Sequence, residues 1–225
     1  MRMRRLPILA CVFFAMVLPC CLQPTVDELT ERAYTGDAKA MAALAKSYYD
    51  RGDQENGAHW LFEAALKGDK VSFATLKAQA DGGEASSMMR MADYYGKIGE
   101  KRLHFDYYYR FAKVEESGDS ALTIAILFLF GDENILGTAP TLEDHAKGLE
   151  CLILGAKAET RTRWPYLLLA QLLKDHRIVA PSPQDGDEWN AEAAKATSRD
   201  RRILVQTLEV LDCPAAAEYA KTIPQ

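Results

Sequence analysis

Along most of this chain apolar residues recur at i, i+3 and i+4, and very few stretches show strict apolar–polar alternation, so the pattern predicts helices and an all-α fold. The clearest stretch runs from Ala33 to Asp69, AYTGDAKAMAALAKSYYDRGDQENGAHWLFEAALKGD. It predicts helices over Ala38–Tyr49 and Asn56–Leu66, with a break at Gly52 and a close at Gly68-Asp69. Alanines occupy one face of the pair, and Leu44, Tyr48, Trp60 and Leu61 occupy the other. Alanine on a helix–helix seam allows two antiparallel backbones to approach to about 8–10 Å, and glycine at a helix end supplies the positive φ of a tight reversal. A single pair of this kind cannot bury its apolar face alone, which predicts a stacked array of pairs.

Degenerate copies follow. GGEASSMMRMADYYGKIGEKRLHFDYYYRFAKVEESGD aligns Tyr94-Tyr95 with Tyr48-Tyr49 and Gly99 with Gly52, and it closes on Gly118-Asp119. Between the first two copies Val71–Ala80 predicts an extra, inserted helix. The third copy opens with LTIAILFLFG, apolar nearly all round and so expected to be the most buried helix. A loop over Gly131–Pro140 leads to TLEDHAKGLECLILGAKA, for which Thr141 is the natural N-cap with Asp144 three residues on. The fourth copy is weaker, RWPYLLLAQLLKDHRIV and EWNAEAAKATSRD around the loop APSPQDGD. Arg199–Leu211 predicts an amphipathic terminal helix, followed by a last short turn over Ala215–Lys221.

Ala40, Leu44, Tyr48 and Gly52, then Ala58, Trp60, Ala64-Ala65 and Gly68, resemble a Sel-1-like repeat, a longer relative of the tetratricopeptide repeat. The third copy is similar at Asp144, Ala146-Lys147 and Gly155-Ala156. The resemblance covers Ala33–Ala158 well and Arg161–Ala196 weakly, and the inserted helix has no counterpart in the repeat. It implies a right-handed α/α solenoid of about four irregular Sel-1-like or tetratricopeptide-like helix pairs, with an inserted helix and a C-terminal capping helix. It also implies a non-catalytic adaptor or scaffold that binds a protein or peptide. Some cysteine-rich members of the family are associated with binding cell-wall or β-lactam-type compounds, which gives a second reading as a small-ligand binder. A structural subunit of an envelope assembly is a third.

The first twenty residues stand apart. Arg2, Arg4 and Arg5 precede the apolar run LPILACVFFAMVL, which is too short at 1.5 Å per residue for a ~30 Å hydrocarbon core. Leu18-Pro19-Cys20-Cys21 resembles a bacterial lipoprotein signal, with Cys21 as the lipidated first residue of the mature chain. An ordinary cleaved signal and an uncleaved anchor are the alternatives. Leu22, where aspartate would retain a lipoprotein at the inner membrane, implies the outer membrane in a cell that has one. The resulting division is a signal over 1–20, a tether over 21–32, a solenoid over 33–198 and a cap and tail over 199–225. Loss of the three leader arginines takes the formal charge from −5 to −8, which argues against nucleic acid as a partner.

Composition adds little chemistry. At 48% hydrophobic and 26% charged over 225 residues the chain is ordinary globular material. His59, His104, His145 and His176 fall on different segments without a metal-ligand spacing, and no nucleophile elbow, P-loop or cofactor motif occurs. No catalytic or metal residue, and no cofactor, is expected. Cys151 and Cys213 are a candidate disulfide or two buried thiols; spacing alone does not choose. Asp185, Asp187 and Glu188 read as loop chemistry before a helix near Trp189, and Arg199, Arg201 and Arg202 as a solvated face in preference to an anion site. Tyr107, Tyr108 and Tyr109 are the candidate binding surface, because successive helical residues diverge by about 100° and at least one ring is expected to face solvent.

Overall fold

In the computed structural model, which describes residues 24–115, 118–158 and 162–223, the chain folds through one reversal used again and again. Helices α1 (Val26–Tyr34), α2 (Ala38–Tyr49), α3 (Gln54–Leu66), α4 (Lys70–Asp81), α5 (Ala85–Lys97) and α6 (Lys101–Glu115) are joined by glycine followed by an acid. Gly36, Gly52, Gly68, Gly83 and Gly99 all have positive φ, between +78° and +100°. Each glycine N–H donates to the carbonyl three residues back, and the following acid's N–H donates to the carbonyl five back, as in Gly68 to Ala65 and Asp69 to Ala64. That arrangement satisfies the orphan carbonyls of one helix in a conformation that costs a residue with a Cβ about 1–2 kcal/mol. The acid then starts the next helix. Asp37, Asp53, Asp69 and Glu84 each accept N–H bonds from the first turn of α2, α3, α4 and α5. The inserted helix α4 enters and leaves by the same turn as its neighbours.

The second half is built from α7 (Gly118–Phe130), α8 (Glu133–Leu136), α9 (Leu142–Ala158), α10 (Trp164–Lys174), α11 (Pro183–Ala194), α12 (Ser198–Val210) and α13 (Pro214–Ala220). The described residues are all-α, in thirteen helices without a strand. The tightest partners are the hairpins α2/α3, α5/α6, α7/α9 and α10/α11, with α4 packed between α3 and α5. As its composition predicts, α7 has eight buried apolar residues, from Ala121 to Phe130. Small residues set the closest approaches. A Cβ on Gly57 would lie 2.7 Å from the Tyr49 ring across α2/α3, and one on Gly155 would lie 2.5 Å from Leu122 across α7/α9. Ala58 and Ala64 are fully buried beside Trp60 and Leu61.

Three boundaries differ from the sequence pattern. The tether expected over 21–32 is helical from Val26, because Thr25 and Glu28 form a capping box and Leu29 and Ala33 bury against α2. The loop expected over 180–187 is shorter: Ser182 caps α11 with Pro183 in its first turn, so Asp185, Asp187 and Glu188 are helical. The loop after α7 holds the short helix α8, capped by Asp132 and closed by Gly137 at φ +81°. The signal over 1–20 and Cys21 lie outside the described residues, and no described helix is long and apolar enough to cross a membrane.

Ala64→Leu inserts a branched side chain into the fully buried α3 seam. It should lower unfolding free energy by about 1–3 kcal/mol, read as a reduced denaturation midpoint; an unchanged midpoint would contradict this packing.

Candidate functional site

The buried apolar residues form two clusters that meet at α6. One gathers α1 to α5 around Leu44, Trp60, Leu76 and Met91 and ends at Tyr107. The other gathers α7 to α13 around Ile126, Phe128, Leu152 and Leu168, and takes in Phe105 and Ala112 of α6. Tyr108 packs against both. Among the described residues, every extensive contact between the two halves runs through α6.

Polar side chains fix that joint. Toward α4, the Tyr107 hydroxyl donates to Asp81 at 2.9 Å, and Arg110 donates to the same carboxylate at 2.9 Å and to the Ala80 carbonyl. Toward α5, the Tyr108 hydroxyl donates to Asp93 at 3.1 Å. Toward α9, Tyr109 donates to Glu150, Lys113 pairs with Glu150 at 2.7 Å, Lys147 reaches Asp106 at 2.8 Å and Arg102 reaches Asp144 at 2.6 Å. The three tyrosines point to different neighbours and do not form one continuous face. Tyr107 is buried, Tyr108 and Tyr109 are half-buried, and each hydroxyl is held by an acid on a different helix. Burial raises all three phenols, Tyr108 to about 12 with Asp93 adding to the effect, so they remain protonated donors.

The other candidates sit apart. Cys151 and Cys213 are both buried and both free, so the candidate disulfide is not formed. Desolvation pushes the Cys151 thiol up to about 12, and Cys213 also upward, which keeps them protonated and poorly nucleophilic. His104 is the histidine with a defined internal role. Its Nδ1 lies 2.8 Å from the Ala92 carbonyl, an acceptor, which places the proton on Nδ1. Its ring meets Phe105 and Tyr108 edge-on. No group of three or more histidine, cysteine and acidic side chains suited to a metal occurs among the described residues.

Beside this joint lies a cleft of about 430 Å³. His104, Phe105 and Tyr108 of α6 form one wall, and Asp119, Ser120, Thr123, Ile124 and Leu127 of α7 form the other. The cleft lies where α6 packs chiefly on α5 and α7 chiefly on α9, so that α6 and α7 meet less closely than either meets its own partner. Apolar walls with a carboxylate, a few hydroxyls and an imidazole are the composition of a binding cleft. Periodicity alone could not locate it, since it depends on how two successive pairs are offset.

No protein-family model and no curated protein matches the chain. Among solved structures it is similar to a protein described as a sel1 repeat protein from Klebsiella pneumoniae subsp. pneumoniae, at 13% identity. That match covers 82% of this chain and 99% of the other, with a TM-score of 0.24.

Asp144 supplies a pH test of the joint. Burial alone would raise its pKa, but Arg102 and the Thr141 amide and hydroxyl outweigh that and hold it at about 2. A folded value below the unfolded one stabilises fully above about pH 5 and is lost as the pH falls toward 2; the shift corresponds to about 2 kcal/mol. Asp144→Asn should therefore destabilise by about that amount at pH 7, in denaturant titrations, with the gap to wild type closing near pH 2. An equal gap at both pH values would refute the assignment.

Proposed function

We propose that the chain is a non-catalytic helical-repeat adaptor, exported and held at a bacterial cell envelope by a lipid on Cys21, and that the cleft between α6 and α7 takes an apolar segment of a protein partner. The cleft carries the reading: Phe105, Ile124 and Leu127 supply apolar wall, while Ser120, Asp119 and the Nε2 side of His104 supply polar groups that orient a bound chain, the Thr123 hydroxyl already donating to the Asp119 carbonyl. The rest of the α6 chemistry supports it indirectly, because the Tyr107, Tyr108 and Tyr109 hydroxyls already have internal acceptors and serve to hold the walls in place. Export rests on the leader pattern of Arg2 to Cys21.

Thr123 is exposed on the cleft wall, so Thr123→Arg should block the cleft without unfolding the chain. Affinity capture from detergent-solubilised membranes should retain one stoichiometric protein with wild type and lose it at least tenfold with Thr123→Arg. Capture of no protein, or equal capture by both, would defeat the adaptor reading. In the same cells Cys21→Ser should move the chain out of the membrane fraction, and an unchanged distribution would defeat the lipid anchor alone.

A further inference from the structure

A second cavity, of about 570 Å³, lies at the far end of the array among α10, α11 and α12. Its volume falls within the roughly 300–1,000 Å³ of small-molecule sites. The wall is mostly apolar, with Leu167, Leu173, Leu204 and Ile223 around small alanines, among them Ala170 and Ala193. Its charged residues are Lys174 and Arg201; no acid takes part in the lining, although the chain as a whole carries a formal charge of −5.

Arg201 is the informative member. The sequence pattern put it on a solvated face with Arg199 and Arg202; those two are exposed, but Arg201 is partly buried against the cavity. Among the described residues no carboxylate forms an ion pair with Arg201 or Lys174. The acids close by have other partners. Glu192 is held by Arg163 and Lys195, and Asp200 accepts from the Arg163 amide and from Thr197. Asp175 accepts from Gln171 and Tyr219, and Lys174 contributes to its field without pairing with it. The neutral polar groups are similarly occupied: Gln171 donates to Asp175 and Asn190 to the Gly186 carbonyl. Among the described residues, the positive charges facing the cavity are therefore not paired with an anion. A partly desolvated guanidinium of this kind favours a carboxylate, with which its planar fork can bond in two places.

We propose that this cavity binds a small amphipathic carboxylate, with its apolar body among Leu167, Leu173, Leu204 and Ile223 and its anionic head on Arg201 and Lys174. The site is separate from the α6/α7 cleft and does not depend on the adaptor reading.

Calorimetric titration of the purified chain with octanoate, 1-octanol and octylammonium separates charge from apolar contact. Octanoate should bind at least tenfold more tightly than octanol, and octylammonium should bind more weakly than either. Arg201→Met should weaken octanoate at least tenfold while leaving octanol within twofold. If Arg201→Met does not fold, by its thermal melt, Lys174→Met at an exposed position must weaken octanoate selectively in its place. Ala170→Trp, which fills the cavity, should abolish binding of both octanoate and octanol. Absence of octanoate binding, octanol binding as tight as octanoate, or octanoate affinity unchanged in the cation variant that folds would overturn the proposal.

Discussion

The structure depends on what happens at α6. Its apolar residues are divided, Tyr107 facing the cluster of α1 to α5, and Phe105 and Ala112 facing the cluster of α7 to α13. Apolar burial holds each cluster together but is non-directional and does not set the angle between them. The directional bonds from Tyr107 to Asp81, Tyr108 to Asp93 and Tyr109 to Glu150, with the Arg102–Asp144 ion pair, supply that angle. The acceptor acids Asp81, Asp93 and Glu150 are partly exposed, so each of the first three contributes about 0.5–1.5 kcal/mol, mainly as direction. The cleft between α6 and α7 inherits its shape from these bonds.

Within each half a simpler rule operates. A helix of about three turns ends on a left-handed glycine, an acid restarts the chain, and small residues at the seam let the next helix lie close. The rule needs no long-range information, which is why α1 to α6 follow it at intervals of fifteen or sixteen residues from Gly36 to Gly99. In the second half the reversals vary. His176 takes the glycine position at φ +55° after α10, with the same pair of backbone bonds, while Thr197 and Asp200 form a capping box for α12. An L-residue in that region is strained, and the irregular helix spacing there accompanies the weaker repeat pattern of Arg161–Ala196.

The sequence was therefore most legible where structure is local. The hairpin α2/α3, the buried character of α7 and the Thr141 cap with Asp144 all follow from periodicity and short-range hydrogen bonding. Angular spread on one helix separates the rings of Tyr107, Tyr108 and Tyr109 but does not say which neighbours they meet. In the fold α6 is enclosed on three sides, by α4 and α5, by α7 and by α9, so three divergent rings find three different neighbours. The surroundings of Arg201 are illegible for a similar reason, since part of its cavity wall comes from α10, well before it in sequence. The stretch 26–32 reads as tether because only Leu29 in it is buried, although Thr25 is a legible cap for a helix there.

A rigid joint between two apolar clusters is the central claim, and hydrogen exchange under denaturant tests it most directly. Mass spectrometry can follow peptides of α2 to α5 separately from those of α7 to α10, in wild type and in a chain with Tyr107, Tyr108 and Tyr109 all changed to Phe. The account predicts that both sets lose protection in one cooperative step in wild type, and in two steps at different denaturant concentrations in the triple variant. A single step with an unchanged midpoint in the triple variant would contradict it.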